Sequence, residues 1–142
     1  MAFKLVSGWP EEDVHEGIVT AGTAIAKGDV LDKSGNVLQR ATSSSTIHTI
    51  VGVADETIST SAAKIKYIPI IPLSQIWEAD TANSTAATQL YENCILTDHD
   101  TLNNSGTDVT GPTGIFNILY TKGAATDKKV IGYFHRLGPT ST

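Results

Sequence analysis

Apolar residues along this chain fall in short runs divided by turn-forming and Ser/Thr-rich stretches, and no run keeps a helical spacing for long. The densest part is Ala24 to Val53. There Val30-Leu31 and Val37-Leu38 flank Asp32-Lys33-Ser34-Gly35-Asn36, residues that accept positive φ and so close a hairpin. Gly28 interrupts the approach to that hairpin and predicts a turn or bulge. Thr42 to Thr46 reads as a polar loop, and Ile47 to Val53 as a strand in which Gly52 marks a close backbone approach.

The same reading extends to both sides. Ile18-Val19 predicts a short strand ended by Gly22. Lys64 to Ile68 alternates charged and apolar side chains like a half-buried strand, and Pro69 and Pro72 bracket Ile70-Ile71, which makes that segment an edge strand or a crossing between sheets. Gln75 to Asp80 continues as strand, with Trp77 expected half-buried at a sheet edge. Thr81 to Gln89 allows one short helix, against its many Thr residues. Asn93 to Leu96, Gly114 to Tyr120 and Val130 to Phe134 are further strands, with a long polar loop expected over Asp98 to Gly111. The expected fold is all-β: a small single β-domain over residues 17–138, after an extended N-terminal arm over residues 1–16 and before a tail at 139–142.

The arm carries Phe3, Leu5, Val6, Trp9, Pro10 and Val14 with no period of its own, so its apolar side chains must bury against this domain or a partner. Trp9, between Gly8 and Pro10, is the first candidate for a contact anchor. A chain of 142 residues builds a core without staples, and its single cysteine excludes an intramolecular disulfide. The net charge of -5 and the ten scattered Lys and Arg argue against a nucleic-acid surface. Tyr67 to Ile71 is the longest apolar stretch, too short for a membrane span, and Met1 to Val6 lacks the pattern of a signal peptide.

Candidate chemistry is thin. Asp98-His99-Asp100 is the densest set of potential ligands, but three adjacent residues do not face one ion unless the backbone turns sharply, so a solvated loop is expected. His15, His48 and His135 stand in unrelated contexts. Cys94 precedes Ile95-Leu96 and reads as a buried thiol. No serine lies in a nucleophile elbow, and Gly111-Pro112-Thr113-Gly114 lacks the lysine of a phosphate loop. The expectation is therefore no enzyme, no cofactor and no metal.

Lys27-Gly28-Asp29-Val30-Leu31-Asp32, the turn to Val37-Leu38, the Ser/Thr loop and Ile50-Val51-Gly52-Val53-Ala54 resemble the capsid decoration, or cement, proteins of tailed bacteriophages, with that of phage lambda as the type. The resemblance covers residues 17–80, and the second half, Thr81 to Gly138, is longer than in that type. It implies a β-tulip or small β-barrel that assembles as a homotrimer on the outer surface of the major capsid protein. The implied place is the virion, after synthesis in the host cytoplasm, and the arm is ordered against the shell. Two other readings share the same hairpins: a ligand- or carbohydrate-binding barrel, marked by Trp77, Tyr67 and Tyr91 exposed around one concavity, and another phage head or tail component. An enzyme would be marked by Asp98, His99 or His48 converging with a shifted pKa.

Overall fold

The computed structural model describes residues 3–8, 14–72, 74–105 and 108–135. Strands β1 (Lys4–Gly8), β7 (Gln75–Asp80), β8 (Asn93–Asp98), β9 (Thr101–Asn103), β10 (Phe116–Lys122) and β11 (Lys129–Phe134) form one sheet. Its order is β1-β7-β11-β10-β8-β9. Strands β2 (His15–Ile18), β3 (Val30–Ser34), β4 (Val37–Arg40), β5 (Ile50–Ala54) and β6 (Lys64–Pro69) form the second, in the order β2-β6-β5-β3-β4. All pairings between these strands are antiparallel. The protein is all-β, and its helical content among the described residues is two single 3-10 turns, Ala87–Gln89 and Ala125–Asp127.

Each sheet curls until distant strands meet at one point. An isolated parallel bridge joins Val19 to Leu38 across the second sheet, and another joins Thr81 to Leu102 across the first. The result is two rolled sheets pinned by single bridges, not one continuous barrel. Two cores follow. Phe3, Val30, Ile50, Val53, Trp77, Phe116, Ile118 and Phe134 pack between the sheets, while Val19, Ile25, Leu31, Leu38, Ala54, Ile58 and Ile65 fill the roll of the second. Val30 and Leu31 are neighbours on one strand, both fully buried, and belong to different cores. A strand covered on both faces loses polar alternation, which is why its sequence reads as an unbroken apolar pair.

The hairpin at Val30 to Leu38 forms as the turn chemistry predicts, with Ser34 paired to Val37 and Gly35 at φ +65°. Three expectations change, and one open between two readings is resolved. The N-terminal segment is strand in its described parts: β1 pairs with β7 from Lys4↔Glu78 to Gly8↔Gln75, and β2 pairs with β6. Trp77 is 1% exposed because β1 covers that flank of β7, so it is not at an edge. β6 lies inside its sheet between β2 and β5 and ends at Pro69, and of the two readings of the proline-bracketed stretch the crossing between sheets is the one that forms. The chain then crosses to the other sheet at β7. Finally, the polar stretch after Asp98 is not all loop: Leu102 is fully buried and draws β9 back against β8.

Candidate functional site

The contact residues proposed from the sequence separate by burial. Phe3 is 3% exposed, with ring centroids 5.2 Å from Phe134 and 5.7 Å from Phe116, and its N–H donates to the Gly28 carbonyl at 3.0 Å. It is a core residue, held there because β1 is zipped to β7. Leu5 is part-buried against the same core. Val6 and Val14 are exposed, Val6 at an irregular step in the β1–β7 register between Leu5 and Ser7. Trp9 and Pro10 lie outside the described residues, as does the expected tail at 139–142. Ile18, a strand residue whose local pattern gives no sign of a surface role, is 54% exposed. Alternation along β2 turns it away from Gly17, which abuts Leu38 and Tyr67.

A cleft of about 400 Å³ opens between β1 and the β5–β6 ladder. Phe3, Leu5, Val53, Ile68 and Trp77 make its apolar wall, and Lys4, Lys27 and Asp55 stand beside them. Lys27 Nζ lies 4.0 Å from Asp55 Oδ1, an exposed pair of little energetic weight.

The Asp98-His99-Asp100 turn is where polar groups converge, and a residue far away in sequence completes it. His99 Nδ1 lies 2.9 Å from Oδ1 of Asp29, which is 2% exposed, and His99 Nε2 lies 3.2 Å from Arg40 Nη1. A guanidinium only donates, so Nε2 accepts from Arg40 and Nδ1–H donates to Asp29. The other Asp29 oxygen accepts the Ala26 N–H at 2.9 Å, and the His99 carbonyl accepts the Val30 N–H at 2.8 Å. One residue of the β8–β9 turn thus grips three residues of the other sheet. Donor atoms of Asp29, His99 and Asp100 lie within 4.8 Å of one another, a spacing that suits a cation. Arg40, however, already brings positive charge to the imidazole, and the Asp29 oxygens already have donors. The cluster is built as a polar clasp between sheets. Its histidine was visible in the sequence; Asp29, sitting behind a turn glycine, carried no signal of burial.

Other titratable groups are spent on packing. Burial, reinforced by Glu92 and Asp108, pushes the Cys94 thiol up to about 12, so it stays protonated at neutral pH and is a poor nucleophile. His135 and His48 line a smaller cleft of about 220 Å³ with Asn93 and Pro112. His135 Nε2 bonds Asn93 Oδ1 at 2.6 Å, and burial lowers its pKa despite the opposing pull of Asp108. Asp32 is buried against the Ser45 hydroxyl, with its second carboxylate oxygen unpartnered among the described residues. The ring of exposed aromatics that would mark a sugar site is not assembled: Trp77 is buried and Tyr67 packs edge-on against His15, while Tyr91 is 70% exposed. No family model and no curated protein matches this chain.

Proposed function

We propose that this chain is a structural decoration protein of a bacteriophage head, binding the outer surface of the major capsid protein as a homotrimer and stabilising the shell. The observation that carries this reading is the placement of exposed apolar side chains. Of the five large ones well exposed among the described residues, Val6, Val14 and Ile18 lie in the N-terminal eighteen residues, on β1 or beside and on β2. β1 is a short outer strand of its sheet, and such an edge recruits a further strand or an apolar face, while β2, whose outer edge faces β4 through the Val19–Leu38 bridge, presents its exposed side chain as apolar surface. The resemblance of the 17–80 region to cement proteins gives the partner class, and repetition around a trimer multiplies modest contacts through effective concentration.

Quantitative mass spectrometry of purified particles tests the reading. A decoration protein is present in copy number comparable to the major capsid protein and is stripped without loss of the shell. A copy number typical of a single vertex or of the tail would replace it with a head-completion or tail role, and absence from particles would overturn it.

A further inference from the structure

We propose that the cleft lined by His48 and His135 binds a divalent transition-metal ion of the zinc class, with the two imidazoles as its protein ligands. The cleft uses none of the residues that carry the decoration reading, and the site stands whether or not that reading does. Its two rings come from different layers of the fold. His48 stands in the polar loop between β4 and β5 of the second sheet, His135 directly follows β11 of the first, and both line one cleft of about 220 Å³. The Ile47 N–H donates to the Pro112 carbonyl at 2.8 Å and so joins two of the cleft's walls.

A chain of amides fixes the tautomer of His135. The Tyr91 carbonyl only accepts, so the Asn117 group 2.8 Å from it is the amide nitrogen. The same nitrogen lies 2.8 Å from Asn93, which must present its oxygen there, and that oxygen lies 2.6 Å from His135 Nε2. Nε2 therefore carries the proton and Nδ1 the lone pair. A ring that gives one N–H to a carbonyl-type oxygen and keeps the other nitrogen as a lone pair is oriented as metal-binding histidines are. Nδ1 of His135 and the ring of His48 have no hydrogen-bond partner among the described residues, whereas both ring nitrogens of His99 are engaged.

The local charges favour such an ion over a proton. Burial lowers the His135 pKa and keeps the ring neutral, as a ligand must be, while Asp108, which accepts the Asn93 N–H at 2.6 Å, adds a negative charge that attracts a dication more strongly than a proton. Imidazole nitrogens select zinc, copper and nickel over magnesium and calcium, and Ile47, Val109 and Pro112 supply an apolar surround. Two protein ligands leave the remaining positions of a tetrahedral ion to water. The bound ion ties a loop of one sheet to the end of the other, so it stabilises the folded chain.

Calorimetric titration of zinc chloride into the tag-free, chelator-stripped full chain, with magnetic resonance of its imidazoles, tests this. One ion should bind per chain, raise the Tm, and shift His48 and His135 Nδ1 while His135 Nε2 keeps its proton. His48→Ala and His135→Ala should each weaken binding by about tenfold or more. No saturable binding, full affinity in either variant, or shifts centred on the Asp29-His99-Asp100 cluster would overturn the site. If a variant unfolds, as melting would show, the wild-type resonances decide: zinc shifts at both His48 and His135 support the site, and shifts confined elsewhere overturn it.

Discussion

At the scale of single residues, His99 does the most for the least exposure. Removing its imidazole by His99→Ala takes away the Arg40 bond and leaves the buried Asp29 carboxylate with the Ala26 N–H as its remaining described donor. A buried group stripped of its partner costs about 1–3 kcal/mol, and that is the loss expected in urea unfolding. His135 gives a pH signature of known sign. Its folded pKa lies below the ordinary 6.5 because burial disfavours the imidazolium, so the unfolded chain takes up a proton that the folded chain refuses. Its contribution is complete above that ordinary value and is lost as pH falls from there through the folded pKa. Unfolding of His135→Gln measured between neutral and mildly acid pH should show a shallower decline than wild type; an unchanged slope would mean that other groups carry the acid sensitivity. Among glycines, Gly52 bears out its reading as a close approach, since a Cβ there would lie 2.6 Å from the Ile68 carbonyl oxygen.

At the scale of elements, β1 is the strand whose behaviour most changes the picture. An arm without partners can be removed without harm, but β1 buries Phe3 among Phe116 and Phe134 and covers the flank of Trp77. Phe3→Ala should therefore lower stability by about 3–5 kcal/mol, as emptying an aromatic site in a core does, and the Tm of the free protein reads it directly. Val6 is on the same strand and has no such role, so Val6→Ser should leave the Tm nearly unchanged. A small effect of Phe3→Ala would show that β1 detaches readily from β7. Elsewhere the elements follow local rules: the Ser/Thr loop ties itself down through Thr42 N–H to Ser45 Oγ at 2.9 Å, and Thr46 N–H to Thr49 Oγ1 at 3.2 Å.

At the scale of the whole molecule, stability and attachment should come apart. Val6→Ser, Val14→Ser and Ile18→Ser together touch side chains that are 37–54% exposed, so each should move the unfolding free energy by no more than about 0.5 kcal/mol. The same variant should be depleted from particles. Retention at wild-type copy number would place the shell contact elsewhere on the surface.

How much of this was legible in advance depends on sequence separation. The all-β class, the Val30 to Leu38 hairpin, the turn at Gly28 and the burial of Cys94 are set by residues adjacent in the chain, where turn geometry and apolar pairing act locally. The sequence by itself determined those. Only the tertiary structure decided that Phe3 is core, that Trp77 is covered, and that Leu102 recruits a strand from a polar run. The same holds for the clasp, where Asp29 meets His99 across 70 residues and Arg40 meets it across 59. Such contacts exist because the two sheets roll and stack, and the resulting burial of one side chain by another leaves no period or motif in either segment.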